Sequence, residues 1–391
     1  MPLLRQQPPR KFRRLSEHFV AGHSVSLLRN GTEAFPEMLL AIAGAQQQVL
    51  LEMYWFGSDR IGRRFATALS GARRRGAEVC VIFDGIGSLE TDRTQFERLA
   101  EIGVQVHEFG PVLPWRHRFR LDRLSRRDHR KILVVDGSVG FTGGINLADP
   151  WLDERDGGDG FRDDMVRVEG PAVRGLSDCF QSTWQASGHP PLRLLPALAP
   201  KAAGLPDEGG QQVRVLGEAF HKKRREIVRA YVAHMYRAQR RIWLANSYFV
   251  PDRVILRALI RAARRGVDVR VLLPGQSDVP IVRMASRAIY ARLLKAGVRI
   301  FELQKNVLHS KTAVVDGIWS TIGTFNMDYR SLKSNLEVNL AVNDRRFGAV
   351  MEQSYLADLE QSQEVTSEEF EQRSLAERAV EQVAYRFRKL W

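Results

Sequence analysis

The segment His129-Arg130-Lys131-Ile132-Leu133-Val134-Val135-Asp136-Gly137 returns, in register, as His309-Ser310-Lys311-Thr312-Ala313-Val314-Val315-Asp316-Gly317. Each copy continues through a glycine, Gly143 or Gly323, to an asparagine, Asn146 or Asn326. The repeated block is thus 18 residues long, and eight of its positions are identical. A single His-x-Lys-x4-Asp pattern is weak evidence. Two extended copies, each near the C-terminal third of a half-chain, indicate a duplicated fold with one active site built from both halves.

The repeat extends to segments that precede the block. Segment 48–56 resembles 241–249, segment 73–85 resembles 264–275, and segment 99–106 resembles 293–300. In each half they are typical of short buried strands that alternate with helices ending at a glycine. This alternation predicts α/β units around a mostly parallel sheet. The Asp-Gly turns at 136–137 and 316–317 predict hairpins with second strands at 139–142 and 319–322.

The repeat also predicts the domain organisation. We expect a first α/β domain at 1–195, a linker rich in Pro, Gly and Ala at 196–211, and a second α/β domain at 212–391. The motifs occupy 129–136 and 309–316. The first half carries an Arg-rich insert from about 111 to 128. A C-terminal amphipathic helix is predicted over 366–391, and it either packs on the second domain or lies on a membrane surface.

Composition restricts the class of protein and of partner. The 391 residues are 44% apolar and 27% charged, which is typical of a globular protein with room for two domains. The formal charge of +14 indicates an anionic partner, namely nucleic acid, anionic lipid or another phosphate-rich substrate. Arg outnumbers Lys 49 to 10, a bias that suits phosphate contacts but can equally reflect genome composition. Because Lys is scarce, its recurrence at one motif position, as Lys131 and Lys311, is stronger evidence for a phosphate site than the excess of Arg.

Cysteines and apolar runs indicate the compartment. Cys80 and Cys179 form no spacing pattern, so we expect reduced thiols and a cytoplasmic protein. The first 20 residues lack the apolar core of a signal peptide. No run approaches the ~18 apolar residues of a transmembrane helix, so a membrane lipid would be reached from the surface.

Two histidines and two lysines in equivalent positions suit phosphodiester exchange. One neutral imidazole can attack phosphorus, and the other can protonate the leaving oxygen and later act as a base. Lys131 and Lys311 can hold the non-bridging oxygens, and Asn146 and Asn326 can add amide donors. We expect neither a metal nor another cofactor, because the motif has no carboxylate cluster with Mg²⁺ or Zn²⁺ spacing.

Each histidine also needs an acceptor for its second ring nitrogen. Asp163, in Phe161-Arg-Asp-Asp164, and Glu337, in Asn335-Leu-Glu337, follow their histidines by similar distances and are the candidates. Asp136 and Asp316 precede a glycine at a turn, so a structural role and a chemical role both remain open for them. A lone histidine in a strand is usually structural, and the paired recurrence is what favours catalysis.

The two blocks resemble those of the phospholipase D superfamily. The wider pattern resembles its bacterial cardiolipin synthase branch, in particular the cytoplasmic type without N-terminal transmembrane helices. The supporting segments include Tyr54-Trp-Phe-Gly-Ser-Asp59, Arg162-Asp163, Asn246-Ser-Tyr-Phe-Val-Pro251 and Gly323-Thr-x-Asn326-x-Asp328-x-Arg330-Ser331. The resemblance implies two tandem αβ(β)α sandwich domains with the active site at their interface. It also implies a catalytic set of His129, Lys131, Asp136, His309, Lys311 and Asp316.

The resemblance further implies a transphosphatidylase. A phosphatidyl group would pass from phosphatidylglycerol to His129 with release of glycerol, and a second phosphatidylglycerol would then accept it to give cardiolipin. The enzyme would act as a peripheral protein at the cytoplasmic face of the bacterial cell membrane, with no obligatory nucleic acid and an oligomeric state that the sequence leaves open. The alternatives are a phospholipase D-type lipid hydrolase, a phospholipase D-like nuclease and a non-catalytic basic scaffold that binds membranes.

Overall fold

A computed structural model describes the protein at residue 12 and over residues 18–112, 126–200, 210–217 and 226–389. Within these residues the strands are β1 Val20–Arg29, β2 Gln48–Met53, β3 Glu78–Asp84, β4 Gln105–Phe109, β5 Lys131–Val135, β6 Val139–Gly143, β7 Asp164–Glu169, β8 Gln211–Gly217, β9 Arg241–Asn246, β10 Asp268–Pro274, β11 Arg299–Leu303, β12 Lys311–Val315, β13 Trp319–Gly323, β14 Val338–Asn343 and β15 Ser362–Val365. The α-helices are α1 Asn30–Ala43, α2 Arg60–Arg74, α3 Arg93–Glu101, α4 Ala172–Ala186, α5 Glu226–Arg237, α6 Arg253–Arg264, α7 Pro280–Arg287, α8 Tyr290–Leu294, α9 Tyr329–Lys333, α10 Arg345–Leu359, α11 Ser367–Glu371 and α12 Leu375–Arg386.

The strands join into one sheet in which the two halves have the same internal order. That order is β15-β11-β10-β9-β12-β13-β14-β8-β1-β7-β6-β5-β2-β3-β4. Strands β1 to β7 therefore correspond one by one to β8 to β14, and the halves meet where β1 runs antiparallel to β8. The duplication seen in the sequence is thus a duplication of the fold, and the structure is the predicted α/β sandwich.

The direction of the strands differs from the prediction of a mostly parallel sheet. Strand pairing is parallel only between β2, β3 and β4 and between β9, β10 and β11. The motif strands β5 and β12 run antiparallel to their neighbours on both sides. A short apolar run signals burial but not direction. The hairpins at the two motifs therefore make the sheet mixed.

Helices cover both faces of the sheet and leave a core that the two halves share. One cluster of buried side chains lies between the first-half sheet and α1, α2 and α3, and another lies between the second-half sheet and α5, α6 and α8. A third cluster combines residues of both halves, among them Val168 of β7, Leu176 of α4, Val338 of β14 and Phe347 of α10. This shared core fixes the position of one motif strand relative to the other.

The C-terminal segment forms two helices where a single helix was predicted over 366–391. Thr366 caps α11, and the chain then leaves the helical conformation at Ser374, which starts α12. Ser374 and Glu377 form a capping box, each accepting a backbone N–H of the other. This second cap is the reason for the break. Residues 390 and 391 lie outside the described residues.

Two other predictions fall largely outside the part of the chain that the structure describes. They are the Arg-rich insert at 111–128, of which 113–125 are not described, and the linker at 196–211, of which 201–209 are not described. The domain boundaries therefore stay predictions. Among the described helices, none has the length and apolar composition needed to cross a bilayer.

Candidate active site

Each motif histidine is hydrogen-bonded through its backbone to the opposite half of the chain. The N–H of His129 donates to the carbonyl of Leu336 at 3.1 Å, and the N–H of His309 donates to the carbonyl of Arg162 at 2.8 Å. Both contacts belong to short parallel bridges, Asp128 with Leu336 and Leu308 with Arg162. The segment that enters one motif strand therefore lies beside the segment that enters β7 or β14 of the other half.

The carboxylates predicted to orient the histidines also contact the opposite half of the chain. Nδ1 of His309 lies 2.6 Å from a carboxylate oxygen of Asp163. Nδ1 of His129 lies 3.1 Å from a carboxylate oxygen of Glu337. The structure brings both candidates to the histidines, but each carboxylate contacts the histidine of the other half, whereas sequence order had suggested pairs within a half. With Nδ1 held by a carboxylate, Nε2 of each ring is the atom available to a substrate.

Further donors hold the two carboxylates in place. The indole N–H of Trp151 donates to Asp163 at 2.9 Å, and the hydroxyl of Thr324 donates to Glu337 at 2.5 Å. Burial raises the pKa of a carboxyl group, but the attraction of His309 and Lys311 outweighs it and holds the pKa of Asp163 below its usual value. For Glu337, burial is likewise outweighed, by attraction to His129 when that ring is protonated and by hydrogen bonds from His129 and Thr324, so its pKa lies below the usual value. Both side chains are therefore carboxylates at neutral pH.

The two histidines are neutral in the substrate-free site. Burial, assisted by the charge of Lys131, lowers the pKa of His129 to about 4 despite the opposing Glu337. Burial, assisted by Lys311, also lowers the pKa of His309 against the pull of Asp163. A neutral imidazole has a free electron pair on Nε2, which is what a nucleophile toward phosphorus requires.

Lys131 and Lys311 are the first residues of β5 and β12, and both are fully buried beside the histidines. Each ammonium donates to the carbonyl of the histidine two residues earlier. Burial, assisted by the charge of Lys311, lowers the pKa of Lys131 to about 7. Burial lowers the pKa of Lys311 to about 8 against the pull of Asp163. The two cations thus lie close enough to affect each other and can attract one phosphate between them.

Asn146 and Asn326 are both buried beside the motif strands. The side-chain oxygen of Asn146 accepts the backbone N–H of Trp55 at 3.2 Å, and that of Asn326 accepts the hydroxyl of Ser247 at 2.8 Å. These contacts orient the two amide groups so that their N–H₂ ends are the donors that a phosphate oxygen could use.

Asp136 and Asp316, predicted in the catalytic set, do not lie with the histidines. Each follows the far end of its motif strand, seven residues or roughly 20 Å beyond the histidine for an extended chain. Both have positive φ, 51° and 55°. Their carboxylates each accept three consecutive backbone N–H groups, from residues 46–48 and 239–241. We therefore correct their role to a structural one, in which they tie the motif turn to the start of β2 or β9.

Aromatic side chains that the sequence analysis did not assign to the site surround it. The Tyr54 ring packs edge-on to His129 with centroids 5.0 Å apart, and Lys131 Nζ lies 5.1 Å from the centre of the same ring. On the other side, Trp151 packs edge-on to His309 at 5.3 Å. The second-half residue equivalent to Tyr54 is Ser247, so the two sides of the site are not identical. The signal available in the sequence was the position of Tyr54 directly after β2, at the strand end where the site forms.

Buried ion pairs connect the site to the rest of both halves. Arg162 contacts Asp164 and, across the interface, Asp358, each at 2.7 Å. Arg130, the middle residue of the first motif, points away from the histidine and lies 3.7 Å from Glu52. Breaking a buried pair by removing one partner costs about 3–5 kcal/mol. These pairs therefore help to hold the interface on which the site depends.

The described residues contain no group of three or more His, Cys, Asp or Glu side chains placed to hold a metal ion. Metal independence stays a prediction, and the cations that could stabilise a phosphate here are Lys131 and Lys311.

Comparisons with known proteins agree on one family. The chain matches the family model described as cardiolipin synthase, PLD-like domain, over residues 38–172 and 231–359. It is 36% identical over 359 residues to a cardiolipin synthase of Geobacillus sp. (strain WCH70), covering 92% of this chain and 70% of that protein. It is 32% identical to a probable cardiolipin synthase of Bacillus subtilis (strain 168), covering 93% and 71%. A similar match, 34% over 90% and 71%, is to cardiolipin synthase A of Pseudomonas putida.

Solved structures support the fold alone. The crystal structure of phosphatidylserine synthase from Haemophilus influenzae Rd KW20 superposes with a TM-score of 0.67 and covers 95% of each chain at 12% identity. At that identity the likeness says that both chains share the duplicated sandwich.

Proposed function

Because this chain belongs to the family of phospholipase D-like cardiolipin synthases, we propose that it transfers a phosphatidyl group from one phosphatidylglycerol to another and releases glycerol. The observation that carries the proposal is the pair of crossed contacts, His129 with Glu337 and His309 with Asp163. These contacts give one site two oriented imidazoles, each with a buried lysine beside it. Exchange of one phosphodiester for another needs two such groups and no external energy source.

In the proposed first step, Nε2 of His129 attacks the phosphorus of phosphatidylglycerol. The bond to the head-group glycerol oxygen breaks, and this oxygen takes a proton from Nε2 of His309. Phosphatidyl-His129 and free glycerol result. The non-bridging oxygens lie between the ammonium groups of Lys131 and Lys311, which stabilise the charge of the transition state.

In the proposed second step, neutral His309 takes a proton from a glycerol hydroxyl of a second phosphatidylglycerol. That oxygen attacks the phosphorus, and the bond to Nε2 of His129 breaks. Cardiolipin leaves, and His309 regains the proton with which the cycle began. The same two groups therefore serve both steps in reverse roles, as an exchange between chemically similar alcohols requires.

The assignment of His129 as the nucleophile rests on a difference between the two sides. The pKa of His129 falls to about 4 in its buried position, so this ring stays unprotonated. His309 contacts its carboxylate at 2.6 Å, compared with 3.1 Å for His129, and the negative charge of a bound phosphodiester favours protonation further. His309 is thus the better candidate for the proton donor.

We further propose that the enzyme works as a peripheral protein on the anionic, cytoplasmic face of the cell membrane. The net charge of +14 supports this placement. Each Lys or Arg near such a surface contributes about 1 kcal/mol of attraction. The substrate itself is a lipid of that surface, so no separate partner is needed to deliver it.

The product decides between transfer and the alternative reactions. We expect purified protein incubated with phosphatidylglycerol vesicles to form cardiolipin and free glycerol in equal amounts, measured by chromatography of the lipids and an enzymatic glycerol assay. Phosphatidic acid in place of cardiolipin would make the protein a lipid hydrolase. No lipid turnover, with cleavage of single-stranded or duplex DNA, would favour a nuclease.

The pH dependence follows from the lysines and from His129. As pH rises through the pKa values of Lys131, about 7, and Lys311, about 8, the phosphate-binding cations lose their charge. As pH falls through the pKa of His129, about 4, the nucleophile becomes protonated. We expect kcat/KM, which reports free-enzyme pKa values, to be highest between these limits and to fall above neutrality. A soluble phosphodiester with p-nitrophenolate as the leaving group, which needs no proton from His309, checks this at constant ionic strength, and a kcat/KM that still rises toward alkaline pH would contradict it.

A further inference from the structure

We infer that α7 and α12 together form a face that docks on an anionic bilayer and holds the mouth of the active site against the lipid head groups. The inference rests on the proposed function, because that function makes the substrate a membrane lipid. It goes further by naming the surface and the orientation.

Exposed large hydrophobic residues concentrate on these two helices. We call six of them the apolar stripe: Ile281 and Met284 on α7, and Leu375, Val380, Val383 and Phe387 on or beside α12. Leu375 is 82% exposed, Val383 58% and Phe387 53%. The other exposed large hydrophobics of the described residues occur no more than two to any one helix, strand or loop, for example Leu40 on α1 and Val350 and Leu356 on α10. A clustered apolar surface of this kind marks an interaction site.

Helix α12 is packed on the second half through residues that neighbour the stripe. On the inner side of α12, Ala384 packs with Val282 and Ala285 of α7, and buried Glu381 pairs with Arg287 at 3.0 Å. Val380, Val383 and Phe387 are spaced by three and four residues, so they lie on one side of the helix next to Ala384, and each remains about half exposed. The two roles considered for the C-terminal helix are therefore compatible, since Ala384 and Glu381 pack on the second half while the neighbouring apolar residues stay exposed.

Charge identifies the occupant as an anionic membrane. Segment 252–302, which contains α6, α7 and α8, has eleven Arg or Lys residues and four Asp or Glu, whereas segment 366–389, which contains α11 and α12, has five of each. A second copy of this chain, also at +14, would be repelled by such a surface. The positive charge that favours an anionic bilayer therefore comes from α6, α7 and α8, beside the apolar residues of α7 and α12.

The cluster on which α12 packs is connected to the catalytic centre through Tyr248. A cavity of about 280 Å³ lies between α12 and the residues that follow the second motif, and its lining includes Val250, Arg253, Asp328, Leu332, Lys333 and Arg388. Tyr248 packs against the cluster that contains Val250 and Ala384, and its ring lies edge-on to His309 with centroids 6.4 Å apart. The cations in this lining suit a lipid phosphate, and the apolar residues suit the start of an acyl chain. A bilayer seated on the stripe would therefore present its lipids at the entrance of the site.

Vesicle sedimentation tests the surface directly. The variant Val380→Glu/Val383→Glu/Phe387→Glu is compared with Leu40→Glu/Val350→Glu/Leu356→Glu, which adds the same charge at exposed apolar positions elsewhere. We expect the stripe variant to bind phosphatidylglycerol vesicles at least about tenfold more weakly than the unaltered protein, and the control variant to bind normally. Equal losses in both variants, or none in the stripe variant, would overturn the inference. Equally tight binding of the unaltered protein to neutral phosphatidylcholine vesicles would do the same.

Two further measurements separate docking from folding and from catalysis. The stripe variant should keep its rate on short-chain phosphatidylglycerol dispersed below its micelle concentration, and loss of that rate would show a structural defect instead. An environment-sensitive fluorophore attached to Val383→Cys should become brighter when vesicles are added, whereas one attached to Val350→Cys should not. The opposite result would contradict the assignment of this surface. If the unaltered protein turns over no lipid, the proposed function fails, yet the binding and fluorescence results still decide the surface.

Discussion

His129→Ala is expected to lower turnover of phosphatidylglycerol by roughly 10⁴-fold or more, and His309→Ala to do so as well. Each histidine supplies a function that no other described residue near the phosphate can replace. The two variants should differ, however, with a soluble phosphodiester whose leaving group is p-nitrophenolate, because this anion departs without a proton. His309→Ala should then release one equivalent of p-nitrophenol per protein in a rapid burst and stall as the phosphohistidine form. His129→Ala should show no burst.

The burst is measured by stopped-flow absorbance, and the trapped intermediate by mass spectrometry of peptides containing residue 129. His18→Ala, at an exposed histidine outside the site, is the matched control and should behave as the unaltered protein. A burst in His129→Ala and none in His309→Ala would exchange the two roles. Substantial steady turnover in either variant would disprove one site built from both halves.

Glu337→Gln and Asp163→Asn are expected to lower kcat by about 10²–10⁴-fold, because an amide can hold the imidazole in the wrong tautomer. The crossed contacts make the two effects distinguishable. Glu337 positions the proposed nucleophile His129, so Glu337→Gln should slow the p-nitrophenol burst itself. Asp163 positions His309, so Asp163→Asn should leave the burst rate nearly unchanged and slow only the turnover that follows.

If each carboxylate instead positioned the histidine of its own half, the result would be reversed, and Asp163→Asn would slow the burst. Asp178→Asn, at an exposed carboxylate on α4, serves as the control for loss of one negative charge. Because Asp163 and Glu337 are fully buried, thermal unfolding of each variant should be followed in parallel. Normal burst and turnover in both variants would remove the two carboxylates from the mechanism.

The sequence was enough to predict the duplication and most residues of the candidate active site, but not how these residues are arranged in space. Repetition of the block containing Lys131 and Lys311 was enough to expect two equivalent halves. The same repetition could not tell which histidine each carboxylate meets, because crossing depends on how β7 and β14 lie beside the opposite motif. The pattern also could not separate an aspartate that acts chemically from one that ends a turn, and Asp136 proved to bind three backbone N–H groups. Polarity alone did not show that Ser374 would interrupt the terminal helix.

Tyr54 and Ser247 occupy equivalent positions in the two halves but differ in kind, and this difference bears on how a duplicated chain evolves. Had each half remained a separate gene product that pairs with its own copy, any mutation beside one histidine would have appeared beside the other. Fusion of the halves in one gene lets each side mutate alone, as the difference between Arg130 and Ser310 also illustrates. The side around His129 and the side around His309 can therefore diverge under separate selection while the chemistry they share is preserved.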